Sequence, residues 1–473
     1  MKLIKIDEVE NLSFEEIKKF FSKNINKTKT NFLTSFSFGN DLVKYAEGIN
    51  IYTYSGKKIY DFTAGVGVLS HGHNHPRIIN ARIKFQKKKK MEVNKSFLSP
   101  YLGVLSNNLS KILPDDLNYS FFPNSGSEAI DTALKTSFVF NQGKRKKILS
   151  SDIAFHGKNL SSIAISSSPE INFNYPNYLD NEKYQFNNFE SLQKLVEMNK
   201  KKKEEICAII VEPLSISTLR ENSESFLKAT RKLCDENNIV LIFDEIYSGW
   251  AKTGYLFNFM KCANLIPDIL CTAKTFGGGK SSISGVVIRE KIHKKCFENP
   301  KFSNLLTSTY YGFGEETATA IEAVNIIIED NYVGKAKEIE KKLKKIFFNL
   351  LKNYDDQITS TKTFGTYSGI FLNNKFKKIQ NILSLIPVNL LKDEYFIPKL
   401  LSASVIDRLY EKHNILSLIS FSYDTHIIIS PPHIVNDYEL GKLEKGLNET
   451  FKYGVINCTK DFILNKLKSL VKL

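Results

Sequence analysis

Six short apolar runs, each separated from the next by a longer stretch of helical periodicity, occupy the middle of the chain. They are YSFFPN (119–124), KILSS (147–151), ICAIIVEP (206–213), NIVLIFDEI (238–246), DILCTAK (268–274) and ISGVVIRE (283–290). A strand with one solvated face alternates apolar and polar residues, whereas these runs are apolar on both faces. Short doubly apolar strands between helices require a mostly parallel sheet covered on each side, which makes the chain an α/β protein. The flanks read differently. INIYTYSGKKIYDFT alternates around a Ser55-Gly56 turn, as a hairpin does, and residues 1–30 form a polar, partly helical lead-in. A helical pattern takes over near Thr309–Asn325, and residues 360–473 return to short strands and helices. The expected division is an N-terminal segment (1–70), a large domain (71–325) and a smaller C-terminal α+β domain (326–473) that shares the N-terminal segment.

Composition removes several classes of function. The 42% hydrophobic content of the 473 residues excludes global disorder. No apolar stretch approaches the ~18 residues of a membrane span, and the charged N-terminus has no signal-peptide core. The net charge of +16 comes from 59 Lys and only 7 Arg, a poor match to nucleic-acid binding, which favours bidentate Arg. The tetralysine stretches at 87–90 and 200–203 read as solvated faces. Six unevenly spaced cysteines without a CxxC pair fit reduced thiols in a cytoplasmic protein.

Three places combine chemistry with position. In YSFFPNSGSEAIDTALK a strand runs through a tight turn into a helix, with Ser125, Gly126 and Ser127 at the helix start. Free N–H groups there suit a phosphate, although an ordinary N-cap uses the same residues. Asp244 and Glu245 follow five apolar residues, so they stand at the carboxyl end of a buried strand, where open α/β sheets bind ligands. Lys274 follows another buried strand and precedes Gly277-Gly278-Gly279. An amine in apolar surroundings loses proton affinity and becomes a nucleophile toward an aldehyde. Phosphate-holding turn, strand-end Asp and strand-end Lys are together what pyridoxal phosphate needs.

At these positions the sequence resembles the class III, or ω-, aminotransferases of the fold type I pyridoxal-phosphate enzymes, with the putrescine/ornithine branch nearest. The resemblance rests on YDFTAGVGVLSHGHNHP, YSFFPNSGSEAIDTALK, AFHGKNL, AIIVEP, RKLCDENNIVLIFDEIYSGWAKTG and PDILCTAKTFGGG, and spans about residues 45–330. It implies a seven-stranded sheet and pyridoxal 5'-phosphate bound as a Schiff base to Lys274. Asp244 would be the partner of the pyridine nitrogen, and Ser125, Gly126 and Ser127 would hold the phosphate. Phe155 would stack on the ring with His156 beside it, and Glu212 would take the place of the glutamate at the family's V-E-P strand end. Thr309 would reach the phosphate of a neighbouring subunit, implying a homodimer. His71, His73 and His75 alternate like a metal-binding tract, but they coincide with the family's G-H-x-H-P stretch, which implies no metal.

Departures from the family pattern bear on the substrate. Tyr247 replaces a glutamine that hydrogen-bonds the cofactor's phenolic oxygen; its hydroxyl is expected to donate from farther out. Ser217 stands where ornithine-type enzymes carry a switch glutamate, and Ile428 replaces the arginine that grips the substrate carboxylate. Losing such a charge-assisted contact typically forfeits ~1.5–3 kcal/mol. Either the substrate lacks a carboxylate there, or another arginine binds it; Arg220 in STLREN, with Val66, is the candidate substrate contact. The expected function is transfer of an amino group between an amine or specialised amino compound and a keto or aldehyde acceptor. The alternatives are an aminomutase or racemase on the same fold, and a non-catalytic scaffold.

Overall fold

The computed structural model describes residues 3–93, 96–114, 116–167, 179–373, 396–420, 422 and 424–471. Its centre is a seven-stranded sheet in the order Leu117–Phe121, Gly285–Arg289, Ile269–Thr272, Val240–Asp244, Ile206–Val211, Lys147–Ser151, Asn181–Tyr184. Gly285–Arg289 runs antiparallel to both of its neighbours, and the remaining pairings are parallel. Six of these strands are the apolar runs of the sequence. The seventh, Asn181–Tyr184, is an edge strand of sequence NEKY that buries only its tyrosine.

The double burial is visible residue by residue. In Val240–Asp244, Leu241 and Phe243 join the core on one face, where Leu105, Leu192 and Phe226 lie on covering helices. Val240 and Ile242 join the core on the other, with Ala129, Ile130 and Ala133 of the helix Gly126–Phe140. Side chains alternate across a strand, so a strand apolar at every position needs helices on both faces.

A smaller unit gathers both ends of the chain. The strands Val43–Glu47, Asn50–Thr53 and Lys58–Asp61 form an antiparallel sheet whose last member pairs in parallel with Ile415–Leu416. A second sheet joins Ile358–Phe364, Tyr367–Leu372, Ile427–Ile429 and Leu418–Ile419. One core holds Phe36, Ile49 and Phe62 together with Leu343, Leu409, Leu443 and Phe451. The helix Gly314–Glu329 crosses residue 325 and still packs Ile326 and Ile327 into the large core. The passage between units lies in Tyr332–Asn353, whose Tyr332 belongs to the large core and Ile339 to the small one. Among the described residues no helix is long and apolar enough to cross a membrane, and the six cysteines are buried free thiols.

Candidate active site

Three neighbouring parallel strands end on charged groups. Glu212 follows Ile206–Val211, Asp244 closes Val240–Asp244, and Lys274 stands two residues beyond Ile269–Thr272. The ladder sets Asp244 opposite Cys271, and Phe243 opposite Val211. These carboxyl ends open into a cavity of about 700 Å³ where the large and small units meet. Ser125, Gly126, Ser127, Phe155, His156, Glu212, Asp244, Tyr247, Lys274 and Val66 all line it.

At the helix start, Ser125 caps Gly126–Phe140, its Oγ accepting the N–H of Glu128 at 3.3 Å and its carbonyl that of Ala129 at 2.9 Å. The Glu128 carboxylate reaches back to the N–H of Asn124 at 3.0 Å. The N–H groups of Gly126 and Ser127 are thereby left for the cavity, at the positive end of a helix dipole. Gly157 closes the cradle: its φ is +125°, and a Cβ there would lie 2.3 Å from Ser127 Oγ, the atom that accepts the N–H of Lys158 at 3.2 Å.

Asp244 and Glu245, adjacent in sequence, point to opposite sides of the strand end. Asp244 Oδ2 lies 2.7 Å from Nδ1 of buried His156, and Oδ1 accepts the N–H of Ile246 at 3.0 Å. Glu245 turns inward and anchors a turn, accepting the N–H of Asn258 and Phe259 at 2.8 and 2.7 Å and the hydroxyl of Ser248. Burial pushes its pKa up to about 7 against those three hydrogen bonds. Glu212 accepts the Phe155 N–H at 3.0 Å. Burial, with the Asp244 charge nearby, raises its pKa well above the ordinary range.

Lys274 has a left-handed backbone, φ +52°, a costly conformation for a side chain of its size and one that recurs at functional sites. Burial lowers its pKa to about 8, opposed by Asp244 and Glu212. At pH 7 roughly a tenth of such an amine is neutral, far more than for an exposed lysine. Its Nζ lies 4.0 Å from the centre of the Tyr247 ring. From the sequence, the Tyr247 hydroxyl is expected to donate toward the cofactor's phenolic oxygen from farther out. In the structure it hydrogen-bonds with Ser430 and packs against Gly67, whose missing Cβ would sit 2.8 Å from it. Tyr247 therefore offers its ring face to Lys274.

Two candidates lie apart. Arg220 pairs with Ser215 in a two-residue ladder that turns its side chain outward, where it binds Asp424 at 2.6 Å and is 45% exposed. It does not line the cavity of its own chain. Thr309 is exposed on the loop before Gly314–Glu329 and is likewise absent from the cavity of its own chain. Of the alternating histidines, His71 Nε2 meets the Ala323 carbonyl at 3.0 Å while its ring lies edge to face with that of His75 at 6.0 Å, and His73 Nε2 meets Asp61 at 2.9 Å.

The sequence did not point to Lys252, Leu214, Ile216, Tyr367, Ile419 or Ser420. Lys252 is 1% exposed, hydrogen-bonds Thr275 Oγ1, and stands 5.2 Å from the Tyr247 ring centre. Burial and the Lys274 charge drive its pKa well down. The others form a cavity wall together with Ser217 and Ile428.

A family model described as aminotransferase class-III matches residues 39–438. Among solved structures, a transaminase from the marine bacterium Virgibacillus is 21% identical, with 94% of this chain and 99% of that one covered and a TM-score of 0.80. An ornithine aminotransferase from Toxoplasma gondii, described with partial occupancy of PLP at its active site, is 20% identical over 95% and 99% with a TM-score of 0.74. A thermostable omega transaminase from Pseudomonas jessenii is 21% identical over 88% and 93%, with a TM-score of 0.73. At these identities the solved structures establish a shared fold.

Proposed function

The chain belongs to the class-III aminotransferases, enzymes that move amino groups with pyridoxal phosphate, and from that premise we propose which of its residues do the work. The carrying observation is the convergence of Lys274, Asp244 and the Ser125–Ser127 turn on one cavity.

The cavity fits the cofactor at both ends. Gly126 and Ser127 present N–H groups beside a glycine whose missing side chain keeps the cradle open, as a phosphate requires. Asp244 has both oxygens held and still borders the cavity, and the Nε2 of His156 behind it is buried without a partner among the described residues. Lys274 would hold the cofactor through Nζ, Asp244 would pair with its pyridine nitrogen, and Phe155 would lie against its ring. When bound, the cofactor supplies an electron sink for the carbon that carries the transferred nitrogen.

The chain's own residues then orient and move protons. Burial keeps a fraction of Lys274 Nζ neutral, able to take a proton from the donor's carbon and return it. His156 fixes the Asp244 carboxylate through Nδ1, leaving it no rotation away from its charge partner. Glu212, held by the Phe155 N–H, stations that aromatic ring at the cavity wall. Leu214, Ile216 and Tyr367 exclude water from the substrate side.

Thr309 sits on an exposed loop with its neighbour Tyr310 62% exposed, and Phe97 and Leu98 are 70% and 99% exposed. These features support a homodimer in which Thr309 completes the phosphate cradle of the second copy. The six buried free thiols support a cytoplasmic setting.

The test is an absorption spectrum of the purified protein with pyridoxal phosphate. A near-visible band is expected that bleaches on adding an amine and is absent from Lys274→Ala. A protein that shows no band with excess cofactor overturns the proposal.

A further inference from the structure

The substrate wall of the cavity is neutral and apolar. Leu214, Ile216 and Tyr367 form one buried cluster with Ile428 packed against it, and Ile419 adds to the same wall. Its polar members are hydroxyls and a carbonyl: Ser420 Oγ donates to the Ser217 carbonyl at 2.7 Å. The charged side chains along the cavity are Lys158, Glu212, Asp244 and Lys274. Lys158 belongs to the helix-start cradle, where its N–H bonds Ser127, and the two carboxylates are committed to Phe155 and to His156.

Arginine offers no substitute. Each of the seven is ion-paired to a carboxylate of this chain that lies outside the cavity, as Arg82 is to Glu315 and Arg220 to Asp424. Among the described residues the wall therefore supplies neither a cation for a carboxylate nor an anion for a second ammonium. A substrate charge placed there would be desolvated without a partner, which is strongly unfavourable.

Resting on the amino-transfer reading, we propose that the amino donor is a monoamine with an apolar body, uncharged away from its reacting nitrogen. Both halves of a transfer use this one cavity, so the acceptor is an aldehyde or ketone with the same property. The donor carbon loses its C–N and C–H bonds and leaves as a carbonyl compound, its oxygen supplied by water. The acceptor carbon gains the nitrogen and a hydrogen and releases its oxygen as water, so the exchange balances without an external oxidant or reductant.

The cofactor-loaded enzyme is tested by the rate at which each donor bleaches the near-visible band, using propylamine to hexylamine and then 6-aminohexanoate and 1,6-diaminohexane. If the amines seat on the wall, kcat/KM rises roughly fourfold per added methylene and falls at least about tenfold when the terminal methyl gives way to either charged group. Ile428→Arg should narrow the ratio of hexylamine to 6-aminohexanoate by about tenfold or more. A flat amine series, a charged donor matching hexylamine, or an unchanged ratio in Ile428→Arg overturns the inference while amino transfer stands. If no donor bleaches the band of a cofactor-loaded protein, amino transfer itself fails and this inference with it.

Discussion

The Nζ of Lys274 rests 4.0 Å from the centre of the Tyr247 ring, on a residue whose hydroxyl is engaged with Ser430. An aromatic face attracts the protonated amine by about 0.5–2 kcal/mol. Tyr247→Leu is therefore expected to move the Lys274 midpoint below its value of about 8, whereas Tyr247→Phe leaves it in place. The pH dependence of cofactor uptake by the apoprotein reads that midpoint. A shift with Phe equal to that with Leu would show that the hydroxyl, and not the ring face, sets the amine.

Lys274 carries a stability cost with a defined sign. Its pKa falls from 10.5 to about 8 in the fold, so between those values the unfolded chain holds a proton that the folded chain has released. Stability rises with pH across that window, and the full penalty applies below it. Lys274→Met cannot charge, and its apoprotein should exceed wild type at pH 7 by about 3 kcal/mol, from 1.36 kcal/mol per unit. The advantage should fade toward pH 10, as followed by urea unfolding at both values.

Gly157→Ala tests the cradle. At φ +125° a side chain is strained, and its Cβ would meet Ser127 Oγ at 2.3 Å. Either Ser127 or the 155–158 segment must shift, which takes the phosphate donors out of line. Retention of pyridoxal phosphate through dialysis is expected to fall at least about tenfold, a loss on the scale of one charge-assisted hydrogen bond, with far-ultraviolet circular dichroism unchanged.

Arg220→Ala is expected to leave kcat and KM unchanged for every donor, carboxylated or not. The Arg220–Asp424 pair is 45% and 28% exposed, and an ion pair that open to water contributes about 0–1 kcal/mol. A raised KM confined to carboxylated donors would return Arg220 to the site.

Much of the sheet was written in the chain. A strand buried on both faces must be apolar along its length, as Ile206–Val211 is and as Val240–Asp244 is up to its closing Asp244. The edge strand Asn181–Tyr184 escaped notice because its polar residues find partners only in the assembled fold, Glu182 with Lys147 and Lys183 with Ser150. Asp244 and Lys274 could be placed at the sheet's carboxyl ends because each follows an apolar strand. Lys252 could not, since burial of one lysine among 59 leaves no local trace. Tyr367, Ile419 and Ser420 reach the cavity from a small sheet whose short strands carry no periodicity of their own. The orientation of Tyr247 depends on Ser430, 183 positions away by numbering (430 − 247), a contact that only the assembled fold creates.

The parallel pairing of Lys58–Asp61 with Ile415–Leu416 sets a timetable for biosynthesis. Asp61 leaves the ribosome 355 residues before its partner Leu416 (416 − 61). At elongation rates of about 5–20 residues per second that delay is roughly 20–70 s. Until then Ile49 and Phe62 lack part of their core, because Leu409, Ile415 and Leu443 come last. The nascent chain must keep a sticky N-terminal hairpin waiting while the large sheet forms. A message truncated before residue 415 would yield a protein with its central sheet and Lys274 in sequence, yet without Ile419, Ser420 and Ile428 to close the cavity.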